Sequence, residues 1–214
     1  AEELGFKALW FRDVPFNDPS FGDAGQLYDP WVYMAHIMNH TRNIALGTGS
    51  IILPFRHPVH TAKSINSLQL LSKGRLIVGV ASGDRAIEYP AFGKDVEHKS
   101  ELFRDSFFYI QALQADFPYH SSSFYGSTNG GIDLLPKYKE NTPILVTGHS
   151  GQSVEWIAKH SNGWLYYPRD FKSLRLIIQK WTEALDKYEK DWKPFMQSLY
   201  IDICHDPSTR PSPI

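Results

Sequence analysis

Short apolar runs alternate with amphipathic stretches along almost the whole chain, and this alternation limits the folds open to it. Runs at 8–13 (ALWFRD), 43–53 (NIALGTGSIIL), 75–81 (RLIVGVA), 143–147 (PILVT), 163–167 (GWLYY) and 197–203 (QSLYIDI) read as strands. Strands separated by helices form a parallel sheet, either open and doubly wound or closed into a barrel. The helices between them carry their own signals. Asp29 is placed to cap a helix with Pro30 in its first turn, and Trp31, Met34, Ala35 and Met38 then recur at helical spacing. After Pro54 a second helix turns Val59, Ala62, Ile65, Leu68 and Leu71 inward and stops at Gly74. A third places Leu102, Phe103, Phe107, Ile110 and Leu113 on one face. The last strong helix has Ser173 as its expected N-cap and Leu174, Ile177, Ile178, Trp181, Leu185 and Tyr188 as its stripe.

The segment 116–141, rich in Ser, Gly, Tyr and Pro, has no clear periodicity and reads as an irregular insertion over one face, a candidate lid. The fold expected is α/β, a TIM (β/α)8-type barrel. A complete barrel has eight strands, so residues 1–214 are expected to form one partial barrel domain lacking the first strand and the last strand-helix unit.

Composition narrows the partners. With 42% hydrophobic residues and a formal charge of −1, neither disorder nor an electrostatic grip on nucleic acid is favoured. No apolar run reaches the ~20 residues that span a bilayer, and the single cysteine, Cys204, provides no disulfide framework or zinc signature. A soluble, cytoplasmic protein acting on a small molecule is expected. The chain opens on AEELGF without methionine, which leaves room for a preceding segment. His57 and His60 stand three apart near a helix start and are read as capping or solvent contacts, so no metal is expected.

In a parallel barrel the chemistry lies at the C-terminal strand ends. These ends deliver Arg12 and Asp13, then Gly47 to Ser50, Ser82 to Arg85, and Thr147 to Ser153, all short or polar. Glycine and serine also mark ordinary turns, but four such loops together frame a pocket. A helix beginning near Gly151 would turn its free amides toward the strand ends, with the Ser150 and Ser153 hydroxyls beside them, as an anion cradle; N-capping by Ser150 is the plainer alternative. Neither GxxxxGK nor GxGxxG follows a strand, so a flavin or sugar phosphate is the better candidate.

Three blocks carry a resemblance. AEELGFKALWFRD, the stretch from NIALGTGSIILPFRHPV through LSKGRLIVGVASGDRAIEYPAFG, and PILVTGHSGQSVEWIAKHSNGWLYYPR, in that order, are similar to the bacterial luciferase-like flavin monooxygenase family, from Ala1 to about Ile203. The resemblance implies a TIM-type barrel and a flavin. It places Gly49 and Ser50 at a bulge, often with a cis peptide, that props the isoalloxazine ring. It assigns the flavin phosphate to Ser82, Asp84 and Arg85 and to Ser150, Gly151 and Ser153, with Thr147, Gly148 and His149 completing the second loop.

Family members often carry a histidine where this chain has Val14. Asp13 aligns with an acidic neighbour and is the leading catalytic candidate at the ring, ahead of Arg12 and His149; pairing with Arg12 or loop capping is its structural alternative. The implied function is a monooxygenase using reduced FMN, supplied by a separate flavin reductase, and molecular oxygen on a small organic substrate. An F420-dependent hydride-transfer oxidoreductase shares the barrel and phosphate site, and a non-catalytic flavin-binding protein is the reading of another class. A non-flavin sugar-phosphate barrel ranks last. Family members commonly pair, so a homodimer is expected.

Overall fold

A computed structural model describes residues 1–22, 27–188 and 191–198. The strands are β1 (Ala8–Phe11), β2 (Ala45–Thr48), β3 (Ile51–Ile52), β4 (Leu76–Ala81), β5 (Tyr119–Ser122), β6 (Gly126–Asn129), β7 (Ile144–Thr147), β8 (Gly163–Tyr166) and β9 (Phe195–Gln197). The helices are α1 (Pro30–Met38), α2 (Pro58–Leu71), α3 (Lys99–Ala112), α4 (Val154–His160) and α5 (Phe171–Lys187). Seven strands form one sheet in the order β1-β2-β4-β7-β8-β9, with β3 paired to β4. Every pairing within it is parallel.

The sheet curls. A Cβ added to Gly79 on β4 would meet the Leu165 side chain of β8 at 2.7 Å, although β7 lies between the two strands. Both residues therefore face one interior, as in a barrel wall. Among the described residues β1 and β9 stand at the two edges, so the described structure is a half-barrel with helices outside it.

The expected single run at 43–53 is two strands, because the chain slips by one residue. Gly47 pairs with Ile77 and Ile51 with Val80, so four steps on one side answer three on the other. That is a β-bulge, and it carries a cis Gly49–Ser50 peptide. Thr48 patches the ladder: its Oγ1 donates to the Gly79 carbonyl at 2.8 Å and accepts from the Gly79 amide at 2.9 Å. Fully buried, both backbone groups keep a partner where the strands part.

Helix α1 is capped as expected, with the Asp29 Oδ1 accepting from the Trp31 and Val32 amides, and Trp31, Met34 and Met38 are buried. On α2, Ala62, Ile65 and Leu68 are buried, but Leu71 is exposed. Helix α5 is capped by Asp170, whose carboxylate accepts from the Ser173 amide, rather than by Ser173. An aspartate one residue before Phe171 reaches the free amides of the first turn. The final strand expected at 197–203 lies mostly outside the described residues; β9 overlaps its first residue, Gln197, and pairs with β8.

The segment 116–141 is not wholly irregular. Strands β5 and β6 form an antiparallel hairpin that lies on α3, where the His120 and Tyr109 rings stack at 4.6 Å. Its strands lack an apolar period-two pattern because their sheltered positions hold polar residues, His120, Ser122 and Thr128. Filling Gly79 tests the wall: Gly79→Ala brings a Cβ within 2.0 Å of the Thr48 carbonyl oxygen. A loss of about 2 kcal/mol or more in urea unfolding is expected, whereas an unchanged midpoint would contradict this packing.

Candidate functional site

The strand ends converge on one cavity of about 710 Å³, well within the size range of small-molecule sites. One wall is made of short residues: Gly49, Ser50, Ala81, Ser82, Gly83, Gly148 and Ser150. The other is apolar and aromatic, with Trp10, Ile52, Leu165, Tyr166 and Met196 among its members. Asp13, Asp84, Arg85, Thr147 and His149 also line the cavity; Gly151 and Ser153 do not. No residue of 116–141 lines it, so the structure does not place that segment as a lid.

The two serine loops are built as a rigid shelf. Ser150, at a left-handed φ of 48°, donates its hydroxyl to the Thr147 carbonyl at 2.9 Å and accepts from the Ser82 amide at 3.2 Å. It ties the β7 loop to the β4 loop. Below it, Ser50 and Thr147 hydrogen-bond through their hydroxyls. The Trp164 indole N–H donates to the Gly148 carbonyl at 2.6 Å, and Tyr89 donates to the Ser82 carbonyl at 2.5 Å. Burial pushes the Tyr89 hydroxyl up to about 12, so it stays a donor across the neutral range.

Helix α4 begins at Val154, three residues after the expected start, and Ser153 is its N-cap, accepting from the Trp156 amide at 3.1 Å. The chain from Gly148 to Gln152 forms a loop instead. Gln152, which sequence reasoning passed over, anchors that loop: its amide donates to Ser100 and to the Ser150 carbonyl and accepts from Arg104. Gly151 packs against Ser100, whose Oγ lies 2.5 Å from where a Cβ would stand. A buried polar residue amid small ones was the only signal in the sequence, and a surface glutamine gives the same one.

Asp13 is buried and its carboxylate is committed. Arg56 donates to it twice, Nε to Oδ2 at 3.0 Å and Nη2 to Oδ1 at 2.7 Å, and the Ile52 amide adds a third bond at 3.1 Å. The partner is therefore Arg56, not Arg12. Arg56 reaches on to the Asp29 Oδ2 at 2.8 Å, so one guanidinium links the end of β1 to the N-cap of α1, and Asp13 itself ties β3 to them through the Ile52 amide. This arrangement suits Asp13 to positioning rather than proton transfer. Arg85 is buried near Glu88, with its Nη1 donating to the Phe16 carbonyl and its guanidinium 4.4 Å from the Phe21 ring centre. His149 is the one imidazole on the described lining; it is exposed, edge-on to Trp164 and Tyr166. Val14 lines the cavity nearby. Among the described residues no group of three side chains is placed to hold a metal, and no helix is long and apolar enough to cross a membrane.

Residues 1–207 match the family model of the luciferase-like monooxygenases. The chain belongs to that family. Among its luciferase-like relatives, the alkanal monooxygenase alpha chain of Photorhabdus luminescens is 26% identical over 206 residues, spanning 89% of this chain and 52% of the relative. The F420-dependent hydroxymycolic acid dehydrogenase of Mycobacterium tuberculosis is 28% identical over 183 residues, spanning 83% and 49%. The chain thus spans about half the length of these curated relatives.

Two solved structures show the same luciferase-like fold. Monooxygenase RslO1 from Streptomyces bottropensis superposes with a TM-score of 0.81 at 21% identity, over 92% of this chain and 60% of its own. The oxygenating constituent of 3,6-diketocamphane monooxygenase from Pseudomonas putida, solved in complex with FMN, gives 0.72 at 17% identity, over 88% and 55%.

The Asp13–Arg56–Asp29 link yields two predictions. Arg56→Met leaves a buried carboxylate with one amide donor, and a loss of about 3 kcal/mol is expected in chemical unfolding; adding Asp13→Asn recovers part of it. Burial pushes the Asp29 carboxyl up, but the Arg56 bond and charge, with the Val32 and Trp31 amides, outweigh it and hold it below its ordinary value. A depressed carboxylate stabilises the fold above its unfolded value and loses that contribution as pH falls through the folded one. Asp29→Asn keeps the cap and removes the charge, so its melting temperature should lie below wild type at neutral pH. The gap should close on acidification through the carboxylate range.

Proposed function

We propose that this chain forms the cofactor and substrate site of a flavin-dependent monooxygenase, using reduced FMN and molecular oxygen on a small organic substrate. The observation that carries this reading is one cavity lined both by short residues from the β2–β3 bulge and the ends of β4 and β7 and by aromatic and apolar residues from β1, β3, β8 and β9. The residues present fit a flavin. A Cβ at Gly49 would meet only Trp10, at 3.8 Å, so the bulge leaves open space beside a flat ring. Gly49 and Ser50 are assigned to the ring side. Ser82, Asp84 and Arg85, with Thr147, Gly148, His149 and Ser150, are assigned to the phosphate-bearing chain, and Gly151 and Ser153 flank them.

Bound reduced flavin supplies the electrons with which oxygen is reduced. The protein's own task is binding, orientation and the exclusion of water. Asp13, held by Arg56, fixes the end of β1 beside the bulge, while Trp10, Ile52 and Leu165 keep that side apolar. A strong general base at Val14 is then unnecessary. The reading also includes a separate flavin reductase, a cytoplasmic location and a homodimer through α1 and its neighbours, where Val32 is exposed.

The hydroxymycolic acid dehydrogenase among the relatives favours a second reading, hydride transfer with F420. Anaerobic titration of the full chain with reduced FMN and with reduced F420 separates the two. FMN is expected to bind more tightly by about tenfold or more, about 1.4 kcal/mol. The reverse preference transfers the protein to the F420 reading, and binding of neither overturns both. Ala81 shares the inward face of β4 with Gly79 and lines the cavity, so Ala81→Leu should weaken FMN about tenfold while leaving the melting temperature nearly unchanged.

A further inference from the structure

The geometry points to Arg12 as the residue that binds a carboxylate on the substrate, which makes the substrate class an organic acid with an apolar body. The inference rests on the reading of the cavity as a substrate site and goes beyond it in naming the group recognised.

Side chains alternate along β1 and its continuation. Phe11 turns outward, edge-on to Tyr33 of α1 at 5.4 Å, and Asp13, although it lines the cavity, is bound to Arg56. Trp10 and Arg12 turn inward, Trp10 over Gly47, and both line the cavity. Arg12 follows the C-terminal end of β1, where barrels of this kind carry their functional side chains. Here the position holds a guanidinium that is exposed to the cavity and makes no hydrogen bond or ion pair with a described residue.

The other lining charges differ in this respect or in place. Asp13 is taken by Arg56, and Arg85 and Glu88 are buried near each other, their charged atoms 3.7 Å apart. Asp84 is exposed on the β4 loop, beside the Arg85–Glu88 pair, so Arg12 is the cavity-lining cation with no carboxylate partner among the described residues. The carboxylate of an acid is placed at Arg12. Arginine presents a planar fork that matches a carboxylate through two parallel hydrogen bonds. Trp10 and Ile52 line the same cavity with apolar surface, and displacing water from a charged bond strengthens it.

A cofactor phosphate is the competing source of an anion. Arg85 of the β4 loop donates to the Phe16 carbonyl in the loop after β1, so a comparison of FMN with riboflavin must separate the two anions. The test uses the full chain, with octanoate and octanamide as probes and isothermal titration as readout, first without flavin and then with FMN. FMN and riboflavin are titrated in parallel. Wild type is expected to prefer octanoate over octanamide by about tenfold. Arg12→Gln should abolish that preference, Arg12→Lys should keep part of it, and neither should alter the FMN-to-riboflavin ratio. Equal affinity for the two probes in wild type, no octanoate binding, or a preference that survives Arg12→Gln would overturn the inference. A narrowed FMN-to-riboflavin ratio in Arg12→Gln would also overturn it, by placing Arg12 on the cofactor phosphate. If wild type binds neither flavin yet keeps the octanoate preference, the flavin reading fails and this one stands.

Discussion

The cavity depends on a one-residue slip between two strands. Where β2 gives way to β3, the chain carries one residue more than β4 opposite it, and a bulge of this kind would leave buried amide and carbonyl groups without partners. Thr48 resolves this by bonding both groups of Gly79 with a single hydroxyl. Gly79 in turn must be glycine, because the threonine carbonyl and the Leu165 side chain occupy the space a Cβ would need. The slip turns Gly49 and Ser50 into the cavity, and the Ser50–Thr147 contact fastens them to β7. Three strands thus hold one another in a geometry that none would adopt alone.

Charge is handled by the same economy of partners. Arg56 joins two carboxylates from different elements, Asp13 and Asp29, and so locks the β1 end to the first turn of α1. A carboxylate as buried as Asp13 is tolerable only with such a partner. The serine loops use neutral groups instead: Ser150, Gln152 and Trp164 satisfy their carbonyls and amides internally. The shelf is thus held by its own hydrogen bonds, and such preorganisation lowers the cost of binding.

Membership in the luciferase-like monooxygenases fits this division of labour. The family includes relatives named for oxygenation and relatives named for F420-dependent dehydrogenation. One frame can serve both because the cofactor carries the chemistry and the barrel supplies shape. In this chain Arg12, Val14 and His149 are among the residues that line the cavity.

Much of the fold was legible in the chain by itself. Strand and helix alternation, the Asp29–Pro30 helix start, the α1 and α3 stripes and the Gly74 stop follow from periodicity and capping, which act over a few residues. So did the convergence of Arg12, Asp13, Ser82 and Thr147 at one end of the sheet, since parallel strands carry all their C-termini to the same side. Tertiary structure decided the rest. Whether Asp13 meets Arg12 or Arg56, whether Ser150 caps a helix or bridges two loops, and whether Gln152 is surface or anchor depend on which distant segments are brought within 3 Å. The hairpin of β5 and β6 has no periodic signature because its shelter comes from α3. Local sequence sets what each segment can form; hydrogen-bond partners far apart in the chain exist only once the sheet has curled.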